Sequence, residues 1–390
     1  MISLKAEHTL KQVNPVNELL NVTEGVISFA GGLPSTELVI DVLKGVFGEE
    51  SQSIFQYGEI EGNGEFRKLL SKWVQRYGIN TNAHEILITS GGTQAIDIMT
   101  EFFIDPGDYI LVDQYSFVSA IEIFKSYKAN VIPVESDDNG IIIECLESKL
   151  KKYSPKFIYI VTNYNNPTGF SLSKERRKRM VEIIKDFDTI IIEDDPYIEL
   201  YYNDEIIKPI KSLEHSKVIY ISSFSKIISP GLRVGYIIAN EEIIRKIRKL
   251  KENKDIHTSN LSQFIVLEVL KGDFDSYLDK LRSHYKTKRD FMMHYLDVYL
   301  NKHIQYTVPA GGMFLWIAMK EEINVSELLD LALNRGISFI PGPVFCADSE
   351  SDTGNYIRLN FTNPEITQMK TGIERIGDCI EGLQTSLLVR

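Results

Sequence analysis

Short, almost wholly apolar runs alternate along the chain with longer stretches of mixed polarity. Seven of the runs are rich in β-branched residues, which is typical of strands buried on both faces of a parallel sheet. These predicted strands are Ile86–Thr89, Tyr109–Val112, Val131–Val134, Phe157–Val161, Thr189–Glu193, Val218–Ser222 and Val234–Ala239.

Helices are predicted between these strands, because apolar residues recur there at a spacing of three or four. The stretches are Thr93–Phe103, Val118–Tyr127, Cys145–Tyr153, Ser173–Phe187 and Glu241–Glu252. In the last of them Ile243, Ile247 and Leu250 lie on one face, as in a helix packed on a sheet. The alternation fills residues 41–280 and predicts a doubly wound α/β domain.

The pattern changes in the last part of the chain. A long helix is predicted at Phe274–Leu300, with strands at Ile304–Val308, Ile337–Ile340 and Tyr356–Phe361, a helix at Ser326–Asn334 and a final helix. The fold class that follows is α/β: a large domain with a mostly parallel seven-stranded sheet between helices, and a smaller α+β domain.

Composition narrows the function classes. The 390 residues include 43 Lys and Arg against 54 Asp and Glu, a net charge of −11, which argues against non-specific nucleic-acid binding. No apolar run approaches the ~20 residues of a membrane-spanning helix. The three cysteines, Cys145, Cys346 and Cys379, are widely spaced and the seven histidines are scattered, so we expect neither a disulfide framework nor a metal site. A cytoplasmic protein without nucleic-acid or membrane partners is expected.

The segment from Ser222 to Tyr236 carries the most informative chemistry. Lys226 follows a buried strand, where open α/β sheets bind ligands, and a lysine with suppressed charge can form an imine. The nearby Ser223, Ser225 and Arg233 suit a phosphate. A polar surface loop with a solvated lysine is the alternative.

Three further strand ends carry polar residues. Asp194 and Asp195 follow an apolar strand, and adjacent buried carboxylates need a cationic partner. Asn166 precedes a proline in a turn and can donate its amide hydrogens to a ligand. Thr93 and Gln94 follow two glycines at the start of a helix, where an anion is favoured. Each stretch could be a plain turn or cap, but pyridoxal 5′-phosphate is the cofactor that needs all four together.

The chain resembles the fold-type I pyridoxal-phosphate aminotransferases of class I/II, and most of all the 2-aminoadipate/kynurenine aminotransferase group. The motifs that carry the resemblance span nearly the whole chain: Phe29–Pro34, Phe55–Gly58, Asn166–Gly169, Glu193–Tyr197, Ser222–Tyr236, Gly311–Trp316 and Ile357–Leu359. The resemblance implies an aspartate-aminotransferase-like fold. Its expected parts are residues 1–40, which pack with the small domain, a cofactor-binding domain at 41–284 and a small domain at 285–390.

The resemblance also implies roles for individual residues. Lys226 would bind the cofactor as a Schiff base and then move the substrate proton. Asp194, three residues before Tyr197, would pair with the pyridinium nitrogen in preference to Asp195. Tyr197 and Asn166 would hydrogen-bond the 3′-oxygen of the ring.

Other implied contacts concern the phosphate, the ring face and the substrate. The phosphate ligands would be Thr93, Gln94, Ser223, Ser225 and Arg233. Phe117 would stack on the ring, and Tyr57 would reach the phosphate of the neighbouring subunit in a homodimer. Arg358 would clamp the substrate α-carboxylate, assisted by Asn166 and the Gly32 backbone.

Three departures from the family pattern bear on the substrate. Phe117 replaces the usual stacking tyrosine, and the loop Tyr57–Gly62 differs from the usual sequence. Asn17 stands where aminoadipate-specific members carry an arginine, so a neutral aliphatic or aromatic amino acid is expected. A lyase or decarboxylase on the same fold is the alternative. A non-enzymatic regulatory module is disfavoured, because the stretch before Phe29 is too short for a winged helix and the net charge is negative.

Overall fold

The computed structural model describes residues 25, 27–30, 57–203, 206–213, 216–320, 323–348 and 355–388. Its main sheet has the seven strands that the sequence predicts. The first strand of the chain, β1 (Ile27–Ser28), is not part of this sheet. The seven strands are β2 (Ile86–Thr89), β3 (Tyr109–Asp113), β4 (Asn130–Val134), β5 (Phe157–Val161), β6 (Ile190–Asp194), β7 (Val218–Ser223) and β8 (Gly235–Ile238). Their spatial order is β2-β8-β7-β6-β5-β3-β4.

Strand direction determines where the site can form. The six strands other than β8 run parallel, and β8 is antiparallel to both of its neighbours. The carboxyl ends of six strands and the amino end of β8 therefore meet at one edge of the sheet, which is where α/β sheets bind ligands.

Helices cover the large sheet and lead into the second domain. They are α1 (Gly64–Trp73), α2 (Gly92–Phe103), α3 (Val118–Ser126), α4 (Ile143–Tyr153), α5 (Lys174–Ile184), α6 (Glu241–Asp255), α7 (Asn260–Lys271) and the long α8 (Phe274–Tyr299). The Ser173 side chain accepts a hydrogen bond from the Arg176 backbone N–H at 3.3 Å and so caps α5. Among the described residues, no helix is long and apolar enough to cross a bilayer.

A smaller antiparallel sheet follows α8. Its strands are β9 (Ile304–Tyr306), β10 (Phe314–Met319), β12 (Ile340–Pro341) and β13 (Tyr356–Asn360), in the order β9-β10-β13-β12. Two helices, α9 (Val325–Asn334) and α10 (Ile366–Leu388), belong to this part of the chain.

The single strand predicted at Ile337–Ile340 is wrong, because the chain changes sheets there. Residues Ile337–Ser338 form β11, which pairs in parallel with β1, whereas β12 pairs with β13. Phe339, between the two pairings, is fully buried. The Phe29 N–H donates to the Ser338 carbonyl at 2.9 Å, which fixes residues 27–30 against this region.

Candidate active site

Residues from four loops and one strand gather at the ligand-binding edge of the large sheet. Asp194 ends β6, Lys226 follows β7 in a short 3₁₀ turn, and Asn166 follows β5. Phe117 precedes α3, and Gly91 separates β2 from α2. The predicted chemistry therefore comes from segments that are distant in sequence and that the parallel strand ends bring together.

Asp194 and Lys226 form the charged centre of this site. The Asp194 carboxylate is buried, and its Oδ2 accepts a hydrogen bond from the Tyr159 hydroxyl at 2.6 Å. Burial raises the pKa of Asp194 to about 6, against the opposing effects of Tyr159 and of the Lys226 charge. Burial also lowers the pKa of Lys226 to about 8, aided by the positive charges of Arg358 and Arg233. A fraction of the lysine is therefore neutral, and nucleophilic, near neutral pH.

Asp195 points to the opposite face of β6, as strand alternation requires. Its Oδ2 accepts hydrogen bonds from Asn163 Nδ2 at 2.9 Å and from the Tyr220 hydroxyl at 3.4 Å. Asn163 in turn accepts from the buried Arg177 at 2.8 Å. Burial raises the pKa of Asp195 well above its usual range. This carboxylate belongs to a network beneath the sheet, whereas the pKa of Asp194 responds to the Lys226 charge.

Arg358 on β13 reaches the site from the smaller domain. Its Nη1 donates to Asn166 Oδ1 at 2.6 Å, and its Nη2 donates to the Ala30 carbonyl. The guanidinium lies 4.4 Å from the ring centre of Phe314 and 4.9 Å from that of Phe345. Nε is buried and has no hydrogen-bond partner among the described residues. Two aromatic faces and two hydrogen bonds therefore fix the arginine while N–H donors remain for a carboxylate.

Tyr197 lies three residues beyond Asp194 and is almost fully buried. It is hydrogen-bonded to the side chain of Asn166, and its ring meets Phe314 edge-on at 6.0 Å. Burial raises the pKa of its hydroxyl, so the proton stays on the oxygen at neutral pH. Asn166 thus links Tyr197 to Arg358.

Hydroxyls and a guanidinium line the other end of the site. Ser223 Oγ lies 2.9 Å from Ser225 Oγ and accepts from the Ser225 N–H at 3.1 Å. Arg233 contacts Ser225 Oγ at 3.5 Å, the Pro230 carbonyl at 3.4 Å and the Ser90 carbonyl at 3.3 Å, which are all long distances for hydrogen bonds. Most of its donor capacity is therefore available for an anion.

The amino end of α2 faces the same group. Gly91 has φ of +84°, and a Cβ at this position would overlap the Arg233 guanidinium. A Cβ on Gly235 would lie 2.7 Å from the Gly91 carbonyl carbon. Only glycine allows the backbone and Arg233 to approach this closely.

The Gln94 side chain is engaged away from the predicted phosphate position. Its Oε1 accepts from the Ser90 N–H at 2.7 Å, and its Nε2 donates to Asp255 Oδ2 at 2.7 Å. The backbone N–H groups of Thr93 and Gln94 lie in the first turn of α2, where no carbonyl of the helix can accept from them. These N–H groups can therefore bind an anion.

The remaining predicted site residues either lie at the margin of the site or fall outside the residues that the structure describes. Phe117 is half-buried at the start of α3. Tyr57 is 77% exposed and meets the His257 ring edge-on at 5.8 Å. Gly32 and Asn17 lie outside the described residues.

Several contacts escaped sequence analysis. Tyr159, which holds Asp194, stands two residues before the end of an apolar strand, and a lone hydroxyl in such a strand is a usable signal. Phe314, Phe345 and the Ala30 carbonyl, which hold Arg358, come from distant segments and carry no local signal.

Comparisons with known proteins agree with this geometry. Residues 17–376 match the family Aminotransferase class I and II. The chain is 35% identical over 385 residues, covering 95% of this chain and 92% of the relative, to aromatic-amino-acid aminotransferase 1 of Thermococcus litoralis.

Two solved structures superpose with a TM-score of 0.90 each. One is a kynurenine aminotransferase of Pyrococcus horikoshii, 33% identical and covering 98% of this chain and 97% of that one. The other is an alpha-aminoadipate aminotransferase of Thermus thermophilus in complex with N-(5′-phosphopyridoxyl)-L-leucine, 31% identical and covering 98% of both chains.

The residues of the site fit pyridoxal 5′-phosphate. Arg233 has spare donors beside a glycine turn that a single Cβ would fill, which suits a phosphate. Asp194 offers a buried carboxylate to a protonated ring nitrogen, and Lys226 offers an amine of lowered pKa to an aldehyde. The chain therefore belongs to the class I and II aminotransferases, and pyridoxal 5′-phosphate is its cofactor.

Proposed function

We propose that the protein transfers an amino group between a neutral aliphatic or aromatic amino acid and a 2-oxo acid, and that it does so as a cytoplasmic homodimer. One observation carries the reaction type: an amine of lowered pKa, Lys226, lies in a buried site with the carboxylate of Asp194 and the incompletely paired guanidinium of Arg358.

We propose the following roles for the predicted cofactor ligands. Lys226 binds the aldehyde, Asp194 pairs with the ring nitrogen, and Tyr197 and Asn166 contact the ring oxygen. Phe117 covers the ring face. The phosphate is held by Ser223, Ser225, Arg233 and the first turn of α2 with Thr93 and Gln94. When bound, this cofactor withdraws electrons from the substrate Cα.

Arg358 orients the substrate. A carboxylate that meets Nε and one Nη forms two parallel charge-assisted hydrogen bonds, which fix direction as well as position. The Asn166 and Ala30 contacts and the two flanking rings prevent the guanidinium from turning away. The Gly32 backbone is proposed to assist, as the family resemblance implies.

Lys226 then moves the proton. Its Nζ is a base whose pKa of about 8 is close to neutral pH, where general-base catalysis is most effective. With the cofactor bound, Nζ would accept the proton from the substrate Cα and would be the group that returns it.

The homodimer is proposed from the family resemblance and from surface exposure. Tyr57, predicted to serve the neighbouring site, is 77% exposed in the single chain, and Ile256 beside its ring partner His257 is 50% exposed. Large apolar side chains exposed together are typical of an interface. The proposed domains at 41–284 and 285–390 would meet within α8, which runs through both.

The substrate proposal rests on chemistry and on the relatives. Asn17 replaces an arginine that would bind a distal carboxylate, and a buried unpaired carboxylate costs several kcal/mol. The relatives are named for aromatic amino acids, kynurenine and alpha-aminoadipate, and the last was solved with a leucine derivative.

Steady-state kinetics tests the proposal, with leucine, phenylalanine, kynurenine and 2-aminoadipate each paired with 2-oxoglutarate as acceptor, and with glutamate paired with the 2-oxo acid of leucine. We expect the highest kcat/KM for a neutral substrate. A 2-aminoadipate value ten times that of the best neutral substrate, about 1.4 kcal/mol at the transition state, would contradict it. An Asn17→Arg variant provides the matched control and should shift preference toward 2-aminoadipate.

A further inference from the structure

The carboxylate that faces Lys226 is itself held by a residue with no assigned role. The Tyr159 hydroxyl donates a hydrogen bond to Asp194, at 2.6 Å from Oδ2. Tyr159 is fully buried, and burial raises its pKa well above the usual range, so that the hydroxyl remains a donor. A donor to one oxygen leaves the other, Oδ1, to a second partner.

The fold fixes this hydrogen bond from both sides. Tyr159 lies on β5, which pairs in parallel with β6, and Val161 two residues later is opposite Asp194. Tyr159 and Asp194 therefore share one face of the sheet. The Tyr159 ring also meets Phe124 of α3 edge-on at 5.4 Å, which restricts its rotation.

We propose that Tyr159 is a positioning residue that fixes the Asp194 carboxylate and keeps it ionised, so that its other oxygen serves the ring nitrogen of the cofactor. This inference rests on the role proposed above for Asp194. A carboxylate that accepts a hydrogen bond is a weaker base. The proton shared with the ring nitrogen then stays on the ring, which is the state that withdraws electrons.

Other titratable groups surround Tyr159 and Asp194. Lys226 faces Asp194 from the turn after β7, Tyr197 faces it from the loop after β6, and Asp195 directly follows it in the chain. Asp113 on β3 acts on Tyr159 from the far side. Lys226 favours the ionised form of Asp194 through its charge, and Tyr159 favours it through its hydrogen bond.

The chain supplies a matched control. Tyr220 on β7 is equally buried, and its hydroxyl lies 3.4 Å from Oδ2 of Asp195, on the opposite face of β6. Tyr159→Phe and Tyr220→Phe each remove one hydroxyl next to one of the two adjacent carboxylates, Asp194 and Asp195, and conserve volume. A general effect of losing a buried hydroxyl appears in both variants, whereas a positioning effect appears only in Tyr159→Phe.

The experiment measures the binding of pyridoxal 5′-phosphate to the apoenzymes from pH 6 to pH 9, and the nitrogen-15 chemical shift of ring-labelled cofactor in the holoenzymes. Asp194→Asn is included as the reference. For Tyr159→Phe we expect roughly tenfold or more weaker binding near pH 6 that recovers at higher pH, and a ring signal shifted toward the neutral pyridine. Tyr220→Phe should stay within twofold of wild type in binding at every pH. The acid limb of kcat/KM should move to higher pH only in Tyr159→Phe.

A second variant keeps the test decisive if Tyr159→Phe folds poorly. Tyr159→3-fluorotyrosine retains the shape but has a more acidic hydroxyl, hence a stronger donor, and should move the acid limb to lower pH. If Tyr159→Phe or the fluorinated variant behaves like Tyr220→Phe while Asp194→Asn loses the ring signal, the inference is refuted and the proposed function stands. If Asp194→Asn itself leaves the ring signal unchanged, the proposed role of Asp194 fails, and the inference with it.

Discussion

Replacing Asp194 by Asn should harm catalysis and stabilise the apoenzyme at the same time. The pKa of this carboxylate is about 6, against 3.8 in an unperturbed aspartate. The folded chain therefore binds more protons than the unfolded chain between these values, and stability falls as pH rises through that window. One pKa unit corresponds to about 1.4 kcal/mol. Ionisation of Asp194 therefore lowers the free energy of unfolding of the apoenzyme by about 3 kcal/mol at pH 9, and by roughly half of that at pH 5.

Asn at position 194 has no charge to bury, so this loss of stability disappears, and its amide oxygen can still accept the hydrogen bond from the Tyr159 hydroxyl. Urea unfolding of the apoenzymes should show Asp194→Asn more stable than wild type, by a margin that grows by about 1.4 kcal/mol between pH 5 and pH 9. Above pH 8 Lys226 is largely neutral, so loss of its charged partner adds little there. In the holoenzyme, loss of a buried ion-pair partner worth about 3–5 kcal/mol should lower kcat by about 10²- to 10⁴-fold.

Asp195→Asn is the control, because the Asp195 side chain faces Asn163 and Tyr220 beneath the sheet. We expect its kcat to stay within a few-fold of wild type. A larger loss of kcat in Asp195→Asn than in Asp194→Asn, or an Asp194→Asn apoenzyme that is less stable than wild type at pH 9, would refute the reasoning.

Three further predictions concern Lys226, Arg358 and Asp113. Lys226→Ala should abolish turnover but still bind the cofactor. Borohydride reduction of the wild-type holoenzyme, followed by peptide mapping, should show the cofactor label on Lys226. A label on another lysine would exclude the proposed role of Lys226. Arg358→Lys should raise KM for every amino acid by about tenfold or more, because an ammonium cannot form the two parallel hydrogen bonds; an unchanged KM in steady-state kinetics would contradict this. Burial raises the pKa of Asp113 to about 8, so wild-type stability should fall as pH rises toward 8. Asp113→Asn, which keeps an acceptor for the Asn165 amide, should lose less stability in urea unfolding between pH 6 and pH 9, and equal losses would count against it.

Local pattern was enough to predict the large sheet and the end of the sheet where the site forms. Short apolar runs define strands buried on both faces, and polar residues immediately after them mark the ligand-binding edge. This reasoning predicts Lys226 and Asn166 as site residues. The choice between Asp194 and Asp195 depended on the family spacing to Tyr197, and the register of β6 gives it a physical basis, since alternate residues face opposite sides.

Contacts between distant segments could not be read from the sequence. The division of Ile337–Ile340 between two sheets depends on β1, near the start of the chain, and on β13. The hydrogen bond from Tyr159 to Asp194 requires the register of two strands that α5 separates in sequence. The engagement of Gln94 with Asp255 depends on the position of α6. Each is set by tertiary packing, which leaves no periodic signal.

A stoichiometric half-reaction tests the central claim most directly. The holoenzyme is mixed with leucine or phenylalanine and no acceptor, and cofactor absorbance, 2-oxo acid and free ammonia are measured together. The proposed function predicts one 2-oxo acid released per site, conversion of the cofactor to pyridoxamine 5′-phosphate, and no ammonia, with the aldehyde form restored by 2-oxoglutarate. Continued release of ammonia, or of carbon dioxide, without accumulation of the amine form would contradict an aminotransferase and indicate a lyase or a decarboxylase.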